Sequence, residues 1–261
     1  MEGSTMEPYV IGVIVFVCTF GSVLLGMWLR IALPAHHLDD DSKDTVKVGI
    51  GLIATMTALV LGLVTASAKS SFDAVDTALK QTAIEVLTLD RALARYGPDA
   101  SDIRKALKHA IGTRIEMIWG PQGSSKSANL DPLRSGAAWG AEALADAIRG
   151  LTPRDASQRA LRSRALDLSE TLLQARWLVV VGTETSVPVP FLVILLFWLT
   201  ITFASFGLFA PRNATVLAVL FVCAVSVASA VFLVLEMGRP FDGLLKVSAD
   251  PLRYVYAHLD Q

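Results

Sequence analysis

The sequence predicts an all-α integral membrane protein with four transmembrane helices and a helical portion inserted between the second and the third. Three observations carry that expectation. Hydrophobic residues make up 53% of the 261-residue chain, more than a soluble domain of this size keeps. Four apolar stretches, at 9–33, 46–68, 190–210 and 214–235, reach the roughly 20 residues needed to cross a bilayer. The long segment between the second and third stretches has the periodicity of helices and no strand of alternating residues.

The first stretch does not read as a cleavable signal peptide. No Lys or Arg precedes it, its apolar run is too long, and no small-x-small site follows. Four spans divide the chain into residues 1–68 with spans one and two, a helical portion at 69–188, residues 189–235 with spans three and four, and a tail at 236–261. The termini and the 69–188 portion then share one side of the membrane. Basic residues near the span ends number six on that side (Lys69, Lys80, Arg176, Arg239, Lys246, Arg253) and four on the other (Arg30, Lys43, Lys47, Arg212). By the positive-inside rule this favours a cytoplasmic 69–188 portion.

Within that portion Phe72, Val75, Leu79, Val86, Leu93 and Tyr96 recur at helical spacing and continue the second span until Gly97-Pro98 stops it. A single helix from Val46 to Tyr96 would be about 75 Å long. Asp99 or Ser101 can cap a second helix with the stripe Ile103, Leu107, Ile111, Ile115 and Ile118. GPQGSSKSANLDP reads as a loop. A shorter helix fits 137–149, and Thr152-Pro153 is a cap and first-turn pair for one that carries Leu161, Leu168, Leu172 and Trp177 and ends near Gly182.

On the second span Gly51, Thr55, Ala58, Gly62, Thr65 or Ala66, Lys69, Asp73 and Asp76 follow one another at three or four residues and share a stripe. Leu52, Met56, Leu59, Val60 and Leu63 largely hold the other faces. Two readings of the small stripe stay open. It can pack closely against another helix, since Gly, Ala, Ser and Thr let backbones approach in membranes. It can also line a water-filled path. Lys69 needs water, a headgroup or a partner, and snorkelling can supply one. In a ring of subunits Lys69 would form a ring of positive charge at the inner mouth, with Asp73 and Asp76 as acidic rings beyond it; such rings tune ion selectivity.

The segments GLIATMTALVLGLVTASAKSSFD at 51–73, LDRALARYGPDA at 89–100, FWLTITFASFGLFAPRNATV at 197–216 and VFLVLEMGRPFDGLLKVSADPLR at 231–253 resemble a bacterial membrane-protein family described as bestrophin-like. Bestrophins are pentameric ion channels, mostly anion-selective, with cation-selective prokaryotic members. They have four spans, cytoplasmic termini and a helical cytoplasmic region between spans two and three. The resemblance therefore implies a multi-pass protein of the plasma membrane that self-associates into a ring. It also implies membrane lipid and inorganic ions as partners, and span two as the pore wall. The chain departs from bestrophins at the neck. There the family has bulky apolar residues, often aromatic, and here the matching stripe is Thr, Ala and Gly. A hydrophobic constriction would require Met56, Leu59 or Leu63 to turn inward.

Other residues bear on narrower roles. Glu236, Arg239 and Asp242 follow the fourth span at spacings of three, with Pro240 as a helix stop. Glu236 and Arg239 can pair on one face, either as a charged helix end or as a coupling joint between pore and cytoplasmic helices. Arg30 is expected to snorkel outward. Asp39, Asp40 and Asp41, beside His36 and His37, are weak candidates for a divalent ion, since the loop lacks the alternation and glycine of a calcium hand. Cys18 and Cys223 lie within apolar spans and read as small buried hydrophobes. A net charge of −1 gives no reason to expect nucleic acid. No catalytic or cofactor motif is present, so neither an enzyme nor a cofactor is expected. The expectation is an oligomeric ion channel, anion conduction favoured; the alternatives are a cation-selective channel of the same architecture and a non-conducting membrane-anchored helical scaffold or sensor.

Overall fold

The computed structural model describes residues 7–32, 40–120, 141–182, 189–211, 213–241 and 243–259, side chains excepted at 40–43, 45, 141, 176–182 and 189. Among the described residues it is 88% helical with no strand. The helices are α1 (Pro8–Ala32), α2 (Asp40–Tyr96), α3 (Ser101–Trp119), α4 (Ala141–Arg149), α5 (Ala156–Gly182), α6 (Val189–Phe209), α7 (Ala214–Met237) and α8 (Asp250–His258), with a short 3-10 turn at Pro98–Ala100. Four of them are long and apolar enough to cross a membrane: α1, α2 from Val46 onward, α6 from Pro190, and α7. The chain is an all-α membrane protein, as its composition and periodicity predict.

The second span and the stripe beyond it form one uninterrupted helix of 57 residues, about 85 Å long. No Gly or Pro falls between Val64 and Tyr96 to break it. It ends where Gly97 takes φ 120°, a backbone conformation that residues with a Cβ rarely adopt, and Pro98 follows.

The chain divides into two compact units, Met1–Ser70 with Ser186–Gly238 and Ser71–Thr185 with Arg239–Gln261. In the first, α1 packs on α6 and α7 around Val15, Val23, Leu199, Phe203, Ala224 and Val231, and α2 adds Val60 and Leu61. The α1–α6 seam is backbone against backbone: a Cβ on Gly26 would run into the Ala204 carbonyl, and one on Gly207 into the Val23 carbonyl. Small residues at such crossings let helices approach closely where no hydrophobic effect drives them together. The buried hydroxyls of Thr19 and Ser22 donate to the Val15 and Thr19 carbonyls of their own helix, both at 2.7 Å, which keeps the seam free of unsatisfied donors.

In the second unit the far part of α2 packs with α3, α4, α5 and α8. Leu79, Val86, Leu89 and Leu93 of α2 meet Leu107 and Ile111 of α3, Ile148 of α4 and Leu168 and Leu172 of α5 in one core. Nearly all of the periodic residues named from the sequence are in that core or packed against it. The tail joins it too: Leu252 and Val255 of α8, and Leu259 after it, are buried there, and the Lys108 ammonium donates to the Leu259 carbonyl at 3.0 Å.

Two expected caps are corrected. Neither Asp99 nor Ser101 caps α3, whose N-cap is Ala100 with no side-chain bond; the Asp99 carboxylate instead holds Arg154 at 3.0 Å. Thr152 does not open α5. The helix starts after Asp155, whose carboxylate accepts from the Gln158 N–H at 2.7 Å while the Gln158 amide oxygen accepts from the Arg154 N–H at 2.7 Å. This is close to a capping box, and it moves the start three residues past the Thr-Pro pair. The expected loop at 120–132 lies almost wholly outside the described residues, as does the Trp177 side chain.

Candidate functional site

The membrane part of α2 presents three faces. Ile50, Ala54, Thr57, Leu61, Val64 and Ala68 form the covered one: Thr57 is 5% exposed, the others half-buried. A helix turns through about 100° per residue, so the small stripe is centred roughly a third of a turn away. Gly51, Thr55, Ala58, Gly62, Ala66 and Lys69 on it are all exposed, and Thr65 at its edge is half-buried. A Cβ built on Gly51 or on Gly62 meets nothing within 4 Å. The third face carries Leu52, Met56, Leu59 and Leu63, all exposed, Leu59 at 74%.

The small stripe is thus not a packing face against the chain's own described helices. Close approach between small residues occurs elsewhere, at Gly26 and Gly207. Across the most apolar window of α2 only 6% of residues are buried, against 33% for α6 and 28% for α1. Of the four spans, α2 has the least cover within a single chain. Its two stripe threonines are satisfied locally: Thr55 donates to the Gly51 carbonyl at 2.8 Å and Thr65 to the Leu61 carbonyl at 2.7 Å. Neither hydroxyl leaves a donor exposed to hydrocarbon.

At the charged end of the stripe, Lys69 and Asp73 are exposed and Asp76 is half-buried. The Lys80 ammonium sits 2.6 Å from the Asp76 carboxylate, one turn on. In the sequence the signal for this pair is the spacing of four between Asp76 and Lys80. At the other end, Gly51 borders a cleft of about 440 Å³ shared with Ser205 and Phe206 of α6 and Leu220 of α7.

Glu236 is buried in the last turn of α7 and Arg239 is half-buried after it, with Pro240 beyond the helix end as expected. Asp242 and Asp39 lie outside the described residues; Asp40 and Asp41 are in the first turn of α2, their side chains not described. Arg30 does more than snorkel: its guanidinium donates to the Ala210 carbonyl at 2.5 Å, satisfying an orphan carbonyl at the end of α6. Among the described residues no group of three His, Cys, Asp or Glu could hold a metal ion.

One buried charged pair escaped the sequence reading. Asp90, with a fully buried side chain, accepts from Nε and Nη2 of Arg104 at 2.7 and 3.0 Å, tying α2 to α3. Asp90 stands at the right spacing between Val86 and Leu93 to fall on the core stripe, which was the signal that an acid there needs a partner.

The bestrophin-like domain family matches residues 17–252. The chain belongs to the bestrophin-like family. That match runs from within α1 through the other three spans and the second unit to the first turn of α8. The family is one of bestrophin-type channels, and the protein is a multi-pass membrane protein. Neither the curated proteins nor the solved structures yield a match.

Proposed function

We propose that this bestrophin-like protein is an ion channel built as a pentameric ring of identical subunits, with the membrane part of α2 as pore wall and anions as the favoured permeant class. The observation that carries the reading is the open small stripe from Gly51 to Lys69, which the chain's own described helices leave uncovered. A helix lining the lumen of a ring needs three contacts: its own subunit, the lumen and the next subunit. The three faces of α2 fit these in turn. Thr57 and Leu61 face the home subunit, the Gly-Thr-Ala stripe faces water, and Leu52, Met56, Leu59 and Leu63 face the neighbour. Under this arrangement those large residues seal the joint between subunits, and the lumen has no ring of bulky side chains at Met56, Leu59 or Leu63.

Charge selection then rests on Lys69. Thr55 and Thr65 donate their hydroxyl protons to their own helix, so neither offers its O–H to a passing anion. Asp73 and Asp76 oppose Lys69, but Lys80 beside Asp76 offsets part of that negative field. The same charges support the cation-selective alternative if Asp73 dominates. Both termini and the 69–188 portion are cytoplasmic in this reading, with the inner mouth at Lys69. The protein is not an enzyme and uses no cofactor.

The test is a planar bilayer containing the purified, assembled protein under a KCl gradient. A reproducible reversal potential near that of chloride supports the reading, and one near that of potassium overturns the anion preference. Silence across voltage, pH and calcium moves the weight to a scaffold or sensor.

A further inference from the structure

The stretch after the fourth span forms a closed loop. The Val247 N–H donates to the Pro240 carbonyl at 2.9 Å and joins its two ends. The neck is also fastened to α3. The Trp119 indole N–H donates to the Val247 carbonyl at 3.0 Å, and the Trp119 ring meets Phe241 edge-on with centroids 6.1 Å apart. Pro240, Phe241 and Val247 are buried. Between them Leu244 is 83% exposed, with Leu245 and Lys246 exposed beside it.

Among the described residues, the other exposed large hydrophobics of this unit, Ile84, Tyr254 and Tyr256, stand singly on helices, and single exposed residues are ordinary. Leu244 and Leu245 are an adjacent pair at the tip of a loop whose neck is held by buried contacts. Position along the chain indicates what covers them. The spanning helix α7 ends at Met237, and Leu244 follows seven residues later, so the tip lies within about 25 Å of the span's end by any path. Two leucines beside one lysine suit the boundary between acyl chains and headgroups, where apolar side chains enter and the lysine stem follows with its ammonium among phosphates.

We propose that the tip Leu244–Leu245–Lys246 inserts into the headgroup boundary of the membrane that α7 spans, and so fastens α3 to the lipid surface through Trp119 and Phe241. The occupant is phospholipid. Apolar contact dominates because the tip carries one cation, so anionic lipid adds little. The inference stands whether or not the protein conducts ions.

The experiment uses the full chain with Cys18 and Cys223 replaced by Ala and a nitroxide on Leu244→Cys or Leu245→Cys. The protein is reconstituted in phosphatidylcholine vesicles with and without phosphatidylglycerol. Collision rates with oxygen and with a nickel chelate are compared with those of a label on Lys105→Cys, an exposed position on α3. At both tip positions the ratio of oxygen to nickel collisions should exceed the Lys105→Cys ratio several-fold and change little with phosphatidylglycerol. Nickel access equal to that at Lys105→Cys would overturn the proposal and leave the tip in water. Shielding from both reagents would overturn it in favour of a second copy of the chain covering the tip.

Discussion

Residues 46–70 and residues 71–96 belong to one helix yet differ in how much of their surface the chain covers. In the first stretch a single face, centred on Thr57 and Leu61, is covered, while the small stripe and the leucine stripe are open. In the second, Val75, Leu79, Thr82, Ala83, Glu85, Val86, Leu89, Asp90, Leu93 and Tyr96 are all buried. The difference reflects the solvent. In water every large apolar side chain gains by leaving the surface, so the periodic residues beyond Ser71 collect in a core. Hydrocarbon is as apolar as leucine, so an uncovered Leu59 costs nothing in the membrane and says little. The informative residues there are the small and polar ones, because close packing or water must account for them. The contrast recurs between glycines: Gly26 and Gly207 have no room for a Cβ, whereas Gly51 and Gly62 have open space.

Substitutions should divide along the same line. The largest effect is expected in the buried stretch. Asp90→Ala leaves the Arg104 guanidinium, 14% exposed, without its carboxylate, and removing one partner of a buried pair costs about 3–5 kcal/mol. Thermal or denaturant unfolding of the purified protein would measure it; a loss below about 1 kcal/mol is what a surface pair gives and would erase the distinction between the two stretches. Next is Gly207→Leu. The obstacle there is backbone rather than a flexible side chain, so the loss should exceed the usual ~1–3 kcal/mol of overpacking and abolish the monodisperse peak in size-exclusion chromatography.

Gly62→Leu, on the open face, should leave unfolding within about 0.5 kcal/mol of the parent. In the channel reading it also leaves assembly intact and lowers current by about tenfold or more by narrowing the lumen. A scaffold that uses the stripe for packing predicts the opposite, lost assembly, and Ala58→Leu should follow whichever result Gly62→Leu gives. The mildest change is Lys69→Glu, expected to move the reversal potential toward cations with conductance retained. An unchanged potential in a conducting variant would remove Lys69 from the mouth.

Much of the helical layout was legible in the amino-acid order. The uninterrupted α2 followed from the absence of Gly and Pro between Val64 and Tyr96, and its end from Gly97-Pro98. Caps were less legible, because a cap depends on which polar side chain is free to turn back: Asp99 was engaged by Arg154, and Asp155 with Gln158 displaced Thr152. The α8 tail was missed because its nine residues carry too short a pattern to stand out. Asp90 is hard to read from the sequence because it lies on an apolar stripe with Val86 and Leu93, and its partner Arg104 belongs to the next helix.

By itself the sequence determined the all-α class, the four spans, the composition of the stripe on α2 and the family resemblance, since each rests on local composition and a period of 3.6. Only the tertiary structure decided which face of α2 the chain covers, that close helix packing falls at Gly26 and Gly207, and that Asp90 meets Arg104. These depend on contacts between residues far apart in the chain. The two pairs of glycines look alike in sequence, and only the neighbouring helix tells them apart.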